Sequence, residues 1–233
     1  MNAGNPGSLP DNLARVRERI ARAQAQAGVT GPVRIIAVTK GHPAGAVHAA
    51  LAAGLTDVGE NRVQEATGKQ DELGPSAARW HLIGHLQTNK AKFIPGRFAM
   101  VQSVDSRKVA DALSGVAAKH GSTLDVLLQV NVAGEAQKSG CEPAEAADVA
   151  LAIAGMPALH LLGLMTLAPF TEDVATQRRV FAGLRALRDR IRTADLALAE
   201  LSMGMSGDYE SAVAEGATMV RLGTVLFGDR TTA

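Results

Sequence analysis

Apolar residues recur along this chain in two alternating rhythms. Short runs rich in Val, Ile and Leu, such as Val33-Arg34-Ile35-Ile36-Ala37-Val38-Thr39-Lys40, read as strands buried on both faces. Between them lie stretches with apolar positions three and four apart, closed by glycine, the spacing of helices with one inward face. Residues 1–10 are polar and Gly/Pro-rich and read as a flexible tail. Ser8, Pro10 and Asp11 then signal a helix start, with Leu13, Val16 and Ile20 on one side. From there the pattern predicts strands over 33–40, 57–61, 80–84, 98–104, 124–131, 160–166, 198–202 and 218–223. Helices are expected over 44–53, 63–73, 106–120, 142–154, 172–194 and 208–215, with a shorter one over 89–94. Regular strand–helix alternation implies a parallel sheet. Eight such units at this length imply an α/β fold, a single (β/α)8 TIM barrel over 11–230 with an extra N-terminal helix. The rival is an open doubly wound sheet, but Lys40-Gly41-His42-Pro43 at the first turn is no phosphate fingerprint.

A barrel of this kind places chemistry at the C-terminal ends of its strands. The expected strand ends are Lys40, Asn61, Gly84 or His85, Asp105, Asn131, Thr166, Ser202 and Arg221, a polar ring above an apolar barrel. Lys40 ends a buried strand, where an ammonium is costly unless it is paired or loses its proton. It either snorkels into solvent or acts as a low-pKa amine that forms a Schiff base with a carbonyl compound. The loops after strands seven and eight, Ser202-Met203-Gly204-Met205-Ser206-Gly207 and Gly223-Thr224, are small and hydroxyl-bearing, suited to an anion; the alternative is that their glycines only serve turns. Side-chain alternation puts Ile36, Val38 and Lys40 on one face of the first strand, and Met219 and Arg221 on one face of the last. Closing the barrel makes those strands neighbours. Lys40 and Arg221 are then both aimed over its mouth, and a second cation lowers a lysine's pKa.

Composition narrows the function classes. Aromatic residues make up 3% of the 233, so the core is built of Ala, Val, Leu and Ile. A formal charge of +1 gives no global field for nucleic acid or an anionic membrane. The arginines of the 172–194 helix (Arg178, Arg179, Arg185, Arg188, Arg190, Arg192) are interleaved with Glu172, Asp173 and Asp189 and read as a solvated face. The single cysteine, Cys141, excludes an intrachain disulfide and any multi-cysteine metal site, and reads as an inert exposed thiol. With no secretory or membrane-spanning pattern, a cytoplasmic location is expected.

Four segments carry a specific resemblance. Ala37-Val38-Thr39-Lys40, Gly59-Glu60-Asn61-Arg62-Val63-Gln64-Glu65, Trp80-His81-Leu82-Ile83-Gly84-His85-Leu86-Gln87-Thr88-Asn89-Lys90 and Leu201-Ser202-Met203-Gly204-Met205-Ser206 closely resemble the pyridoxal phosphate homeostasis proteins, also called the YggS/PROSC family. Val220-Arg221-Leu222-Gly223-Thr224 continues the match, and Arg62, where many relatives carry an aromatic, departs from it. The resemblance implies a fold like the N-terminal barrel of alanine racemase, with pyridoxal 5′-phosphate (PLP) held as a Schiff base on Lys40. It further implies that Ser202, Gly223 and Thr224 hold the phosphate, Arg221 faces the pyridine nitrogen and Asn61 lines the ring pocket. Met165 and Met203 would pack nearby, and His81 reads as a satisfied core residue.

The implied role is a PLP carrier in cofactor homeostasis, not an enzyme; the alternative is a weak PLP-dependent amino-acid racemase. A Schiff-base aldolase on a phosphosugar uses the same residue types. Against a strong racemase, arginine only donates, which leaves the pyridine nitrogen unprotonated. The sole tyrosine, Tyr209, sits at an expected surface helix position instead of serving as a second base. Expected partners are PLP and, transiently, PLP-dependent apoenzymes, with no nucleic acid or membrane and the barrel a monomer. Arg34 and Glu200 share inward parity and are expected to pair near the barrel floor.

Overall fold

The computed structural model describes residues 7–74, 77–135 and 139–228; residues 1–6 of the expected tail lie outside them. Strands β1 (Arg34–Val38), β2 (Asp57–Glu60), β3 (Arg79–Leu82), β4 (Met100–Val104), β5 (Leu124–Gln129), β6 (Leu159–Met165), β7 (Glu200–Ser202) and β8 (Met219–Leu222) close into a barrel in chain order. Each pairs in parallel with its neighbours, and β1 meets β8 with Ile36 opposite Arg221. Around them run α1 (Leu9–Ala27), α2 (Ala44–Ala52), α3 (Val63–Leu73), a 3-10 helix (Thr88–Phe93), α4 (Arg107–His120), α5 (Ala146–Ala154), α6 (Val174–Ile191), α7 (Tyr209–Ala214) and α8 (Thr224–Phe227). This is the (β/α)8 barrel the pattern predicts.

Local chemistry sets the helix ends. Ser8 caps α1 by accepting from the Asp11 amide, and Gly28 closes it, so the helix starts inside the stretch expected to be tail. The Asp173 carboxylate accepts from the Ala175 and Thr176 amides, which moves the start of α6 from 172 to Val174. The outward strand faces pack against the helices through side chains such as Leu82, Leu128, Phe181 and Leu184. Burying a side chain of this size contributes about 1.5–3 kcal/mol. Inside the barrel a small separate apolar layer holds Ile36, Met100, Leu127, Met165 and Met219. At Gly163 a Cβ would lie 1.8 Å from the Glu200 carbonyl oxygen, so only glycine lets β6 and β7 approach this closely.

The barrel floor carries the expected ion pair, Arg34 Nη2 to Glu200 Oε1 at 3.4 Å. On α6, Arg178 and Arg185 both reach Glu215, at 2.7 and 3.0 Å, while Arg188 pairs with Asp189. Among the described residues no helix is long and apolar enough to cross a membrane.

Candidate functional site

An open cavity of ≈ 1510 Å³ lies at the C-terminal mouth of the barrel, and Lys40, Asn61, Ser206, Arg221, Gly223 and Thr224 line it. Lys40 lies two residues beyond β1, and the backbone on both sides of it is held from α3. The Gly41 amide donates to Glu65 Oε1 at 2.6 Å, and Lys69 Nζ donates to the Thr39 carbonyl at 2.8 Å. Lys69 also reaches Glu60 at 2.7 Å and Glu65 at 2.9 Å, so all three ammonium protons have acceptors. Burial pushes the Glu60 carboxyl above its ordinary value, against the hydrogen bonds from Lys69 and Thr39. Burial acts the same way on Glu65, but the Gly41 amide and Lys69 outweigh it and hold that carboxyl low.

Arg221 projects from β8 and is 3% exposed. Its Nη1 donates to Ser202 Oγ at 2.7 Å and its Nη2 to the Thr166 carbonyl at 2.8 Å. Burial lowers its pKa to about 10, with Asp208 acting in the opposite sense, so it remains charged at neutral pH. A donor-only cation is thus fixed beneath the cavity with little freedom to turn.

At the cavity edge the loops after β7 and β8 meet. Ser206 Oγ accepts from the Gly223 amide at 3.2 Å and from the Val225 amide at 3.3 Å. With both amides donating to it, the Ser206 hydroxyl can pass its own proton to an oxyanion, with Thr224 beside it, and the two amides converge where an oxyanion that displaces the hydroxyl would accept them. Asn61 is positioned by a close backbone approach: a Cβ on Gly84 would lie 2.3 Å from the Asn61 carbonyl oxygen.

The structure therefore brings Lys40, Asn61, Arg221, Gly223 and Thr224 to one cavity. Ser202 is different. It is fully buried inside the barrel, its hydroxyl taken by Arg221 and by Gln102 Oε1 at 2.6 Å, and it does not line the cavity. Register gives the reason: Ser202 pairs with Met219, one inward position below Arg221. Ser206, in the same loop, takes the rim position instead. Tyr209 is not at the surface but 2% exposed, with the Arg19 guanidinium 5.6 Å from its ring centroid, because α1 packs over α7. Cys141 is buried as well, and burial pushes its thiol up to about 12.

His81 points into the barrel as expected, with Nε2 2.9 Å from Asp57 Oδ1 and Nδ1 3.0 Å from Gln102 Nε2. Met165 lies in the inner apolar layer, whereas Met203 packs outside the barrel. Sequence reasoning passed over Gln102 and Lys69, although a signal was present for each. Gln102 has the same parity as inward Met100, and Lys69 lies on the stripe of Val63 and Ala66.

The alanine racemase, N-terminal domain family matches residues 12–231. The chain is 47% identical over 225 residues to the pyridoxal phosphate homeostasis protein of Pseudomonas aeruginosa, covering 96% of each, and 40% identical over 222 residues to that of Aquifex aeolicus, covering 94% of this chain and 97% of the relative. Among solved structures it is similar to PipY of Synechococcus elongatus with PLP bound, at 38% identity and a TM-score of 0.84, covering 95% and 100% of the two chains. The Clostridium difficile alanine racemase shares the fold at 15% identity and a TM-score of 0.76, and this chain spans 60% of it.

Proposed function

We propose a function from one premise: the chain belongs to the alanine racemase N-terminal domain family and, within it, to the pyridoxal phosphate homeostasis proteins. It binds PLP at the barrel mouth and serves in the homeostasis of that cofactor in the cytoplasm, as a carrier and not as an enzyme. The observation that carries this reading is the set of groups around one cavity: a lysine amine, a buried donor-only guanidinium, and a hydroxyl–amide cluster at the rim. These match an aldehyde, a ring nitrogen that accepts, and a phosphate. Lys40 is the attachment point, Arg221 faces the ring nitrogen, Asn61 lines the ring, and Ser206, Gly223 and Thr224 hold the phosphate. Ser202 acts one layer lower, on Arg221.

When bound, the cofactor supplies an electrophilic aldehyde on an electron-withdrawing ring. Arg221 cannot give a proton to the ring nitrogen, so this chain's own residues leave that ring a weak electron sink. The only tyrosine is buried beneath α1 and absent from the cavity lining, which removes it as a second base. Both points favour the carrier over the racemase. Phe170 and Val174, exposed at 108% and 56%, lie on the cavity wall and offer an apolar edge for transient contact with a receiving apoenzyme.

The test is reduction with borohydride after PLP is added to purified protein. A stable adduct mapped to Lys40 by peptide mass spectrometry, and its loss in Lys40→Ala, is the expected result. Protein that takes up no PLP overturns the binding reading, and substantial racemisation of alanine or serine overturns the carrier reading.

A further inference from the structure

A continuous line of polar side chains crosses the barrel interior from floor to mouth, through an otherwise apolar layer. It runs from Asp57 Oδ1 to His81 Nε2 (2.9 Å), from His81 Nδ1 to Gln102 Nε2 (3.0 Å), from Gln102 Oε1 to Ser202 Oγ (2.6 Å), and from Ser202 Oγ to Arg221 Nη1 (2.7 Å). His81, Gln102 and Ser202 have no exposed surface. Such groups in a barrel core are costly unless every one is satisfied. Simple packing would favour more of the Met, Leu and Ile that fill the rest of this layer.

The line has only one self-consistent direction. Arg221 can only donate, so Ser202 Oγ accepts from it and its own proton must go to Gln102 Oε1. That fixes the Gln102 amide with Nε2 toward His81, where its second proton faces the Met219 sulfur at 3.8 Å. His81 Nδ1 must then accept, its proton sits on Nε2, and that proton is donated to Asp57. At the floor, Asp57 is also reached by Arg79 at 3.3 Å. Burial would raise the Asp57 carboxyl, but the hydrogen bond from His81 and the charges of Arg34 and Arg79 hold it below its ordinary value, so it is a permanent acceptor at neutral pH. Turning the Gln102 amide over would leave the Ser202 proton without an acceptor and require a proton on His81 Nδ1.

We propose that Asp57, His81, Gln102 and Ser202 form a one-directional relay that positions Arg221, so that a carboxylate at the barrel floor sets the orientation of the guanidinium at the mouth. Arg221 has two anchors: the Thr166 carbonyl, which is backbone, and the Ser202 hydroxyl, whose direction is dictated from below. The four are positioning residues, because they act through Arg221 and do not touch the cavity. Their value for PLP rests on the function proposed above; the relay itself does not.

The primary experiment uses 15N-labelled protein without cofactor and reads the ring nitrogens of His81 by long-range 1H–15N correlation. The expected result is a single tautomer, Nε2 protonated and Nδ1 unprotonated. Ser202→Ala, which does not contact His81, should disturb that signature by freeing the Gln102 amide, and Ser202→Thr should restore it. Gln102→Met should also weaken PLP binding about tenfold and move the absorption band of the bound cofactor. A His81 found with its proton on Nδ1 overturns the relay, as does a His81 signature unmoved by Ser202→Ala. Wild-type protein that takes up no PLP while His81 shows the expected tautomer would overturn the cofactor reading and leave the relay intact. Unchanged affinity and band in Gln102→Met, with wild type loading normally, overturns its link to Arg221.

Discussion

Replacing Lys69 by Met tests how the backbone around Lys40 is held. Met keeps most of the aliphatic stem, so packing changes little, while three acceptors lose their donor: the Thr39 carbonyl, Glu60 and Glu65. Glu60 is the severe case, since it is fully buried and retains only the Thr39 hydroxyl at 2.6 Å. Glu65 is 28% exposed in its side chain and keeps the Gly41 amide, so water can relieve it. Removing one partner of a buried pair costs about 3–5 kcal/mol, and relief at Glu65 places the loss near the lower end, about 3 kcal/mol. With a urea m-value of about 3 kcal/mol/M at this size, the unfolding midpoint at pH 7 should fall by about 1 M. Restoring neutrality with Glu60→Gln in the Lys69→Met background should recover at least a third of that loss, as a double-mutant cycle reads it.

The pH dependence has a definite sign. The folded pKa of Glu60 is already raised, so its contribution is greatest below the unfolded value and declines as pH rises through the folded one. Without Lys69 the folded value rises further. Acidifying the variant from pH 7 toward pH 5 should therefore narrow its gap to wild type. A midpoint shift under about 0.3 M, with no recovery from Glu60→Gln, would refute the claim that Lys69 neutralises a buried carboxylate there.

Gly163→Ala should destabilise by at least about 3 kcal/mol in the same urea assay, because its Cβ meets the Glu200 backbone and no side chain can yield. Gly115→Ala should do the opposite, gaining about 0.5–1 kcal/mol and raising Tm, since Gly115 lies inside α4 with nothing within 4 Å of the new Cβ. Cys141, with its thiol pushed up to about 12, should not react with a disulfide reagent at pH 8 until urea unfolds the chain; prompt native labelling would contradict its burial.

Much of this protein is legible in its sequence because the informative patterns are local. Alternation within a strand, apolar spacing within a helix and the turn residues between them depend on neighbours a few positions apart, and they suffice for eight βα units and for bringing Lys40 and Arg221 to one cavity from neighbouring strands, although register sets Arg221 opposite Ile36 and Lys40 lies two residues beyond β1. Even the Arg34–Glu200 pair could be anticipated, because both residues begin their strands with inward parity. Parity, however, says which way a side chain points and not how deep it sits. Depth is set by the stagger of strands in the closed barrel, which no local pattern records. That stagger puts Ser202 level with Met219, one layer below the mouth, and leaves the rim to Ser206. Packing of one helix over another decided the fate of Tyr209 in the same way. The relay from Asp57 to Arg221 draws on strands β2, β3, β4, β7 and β8, so it exists only once the barrel has closed around it.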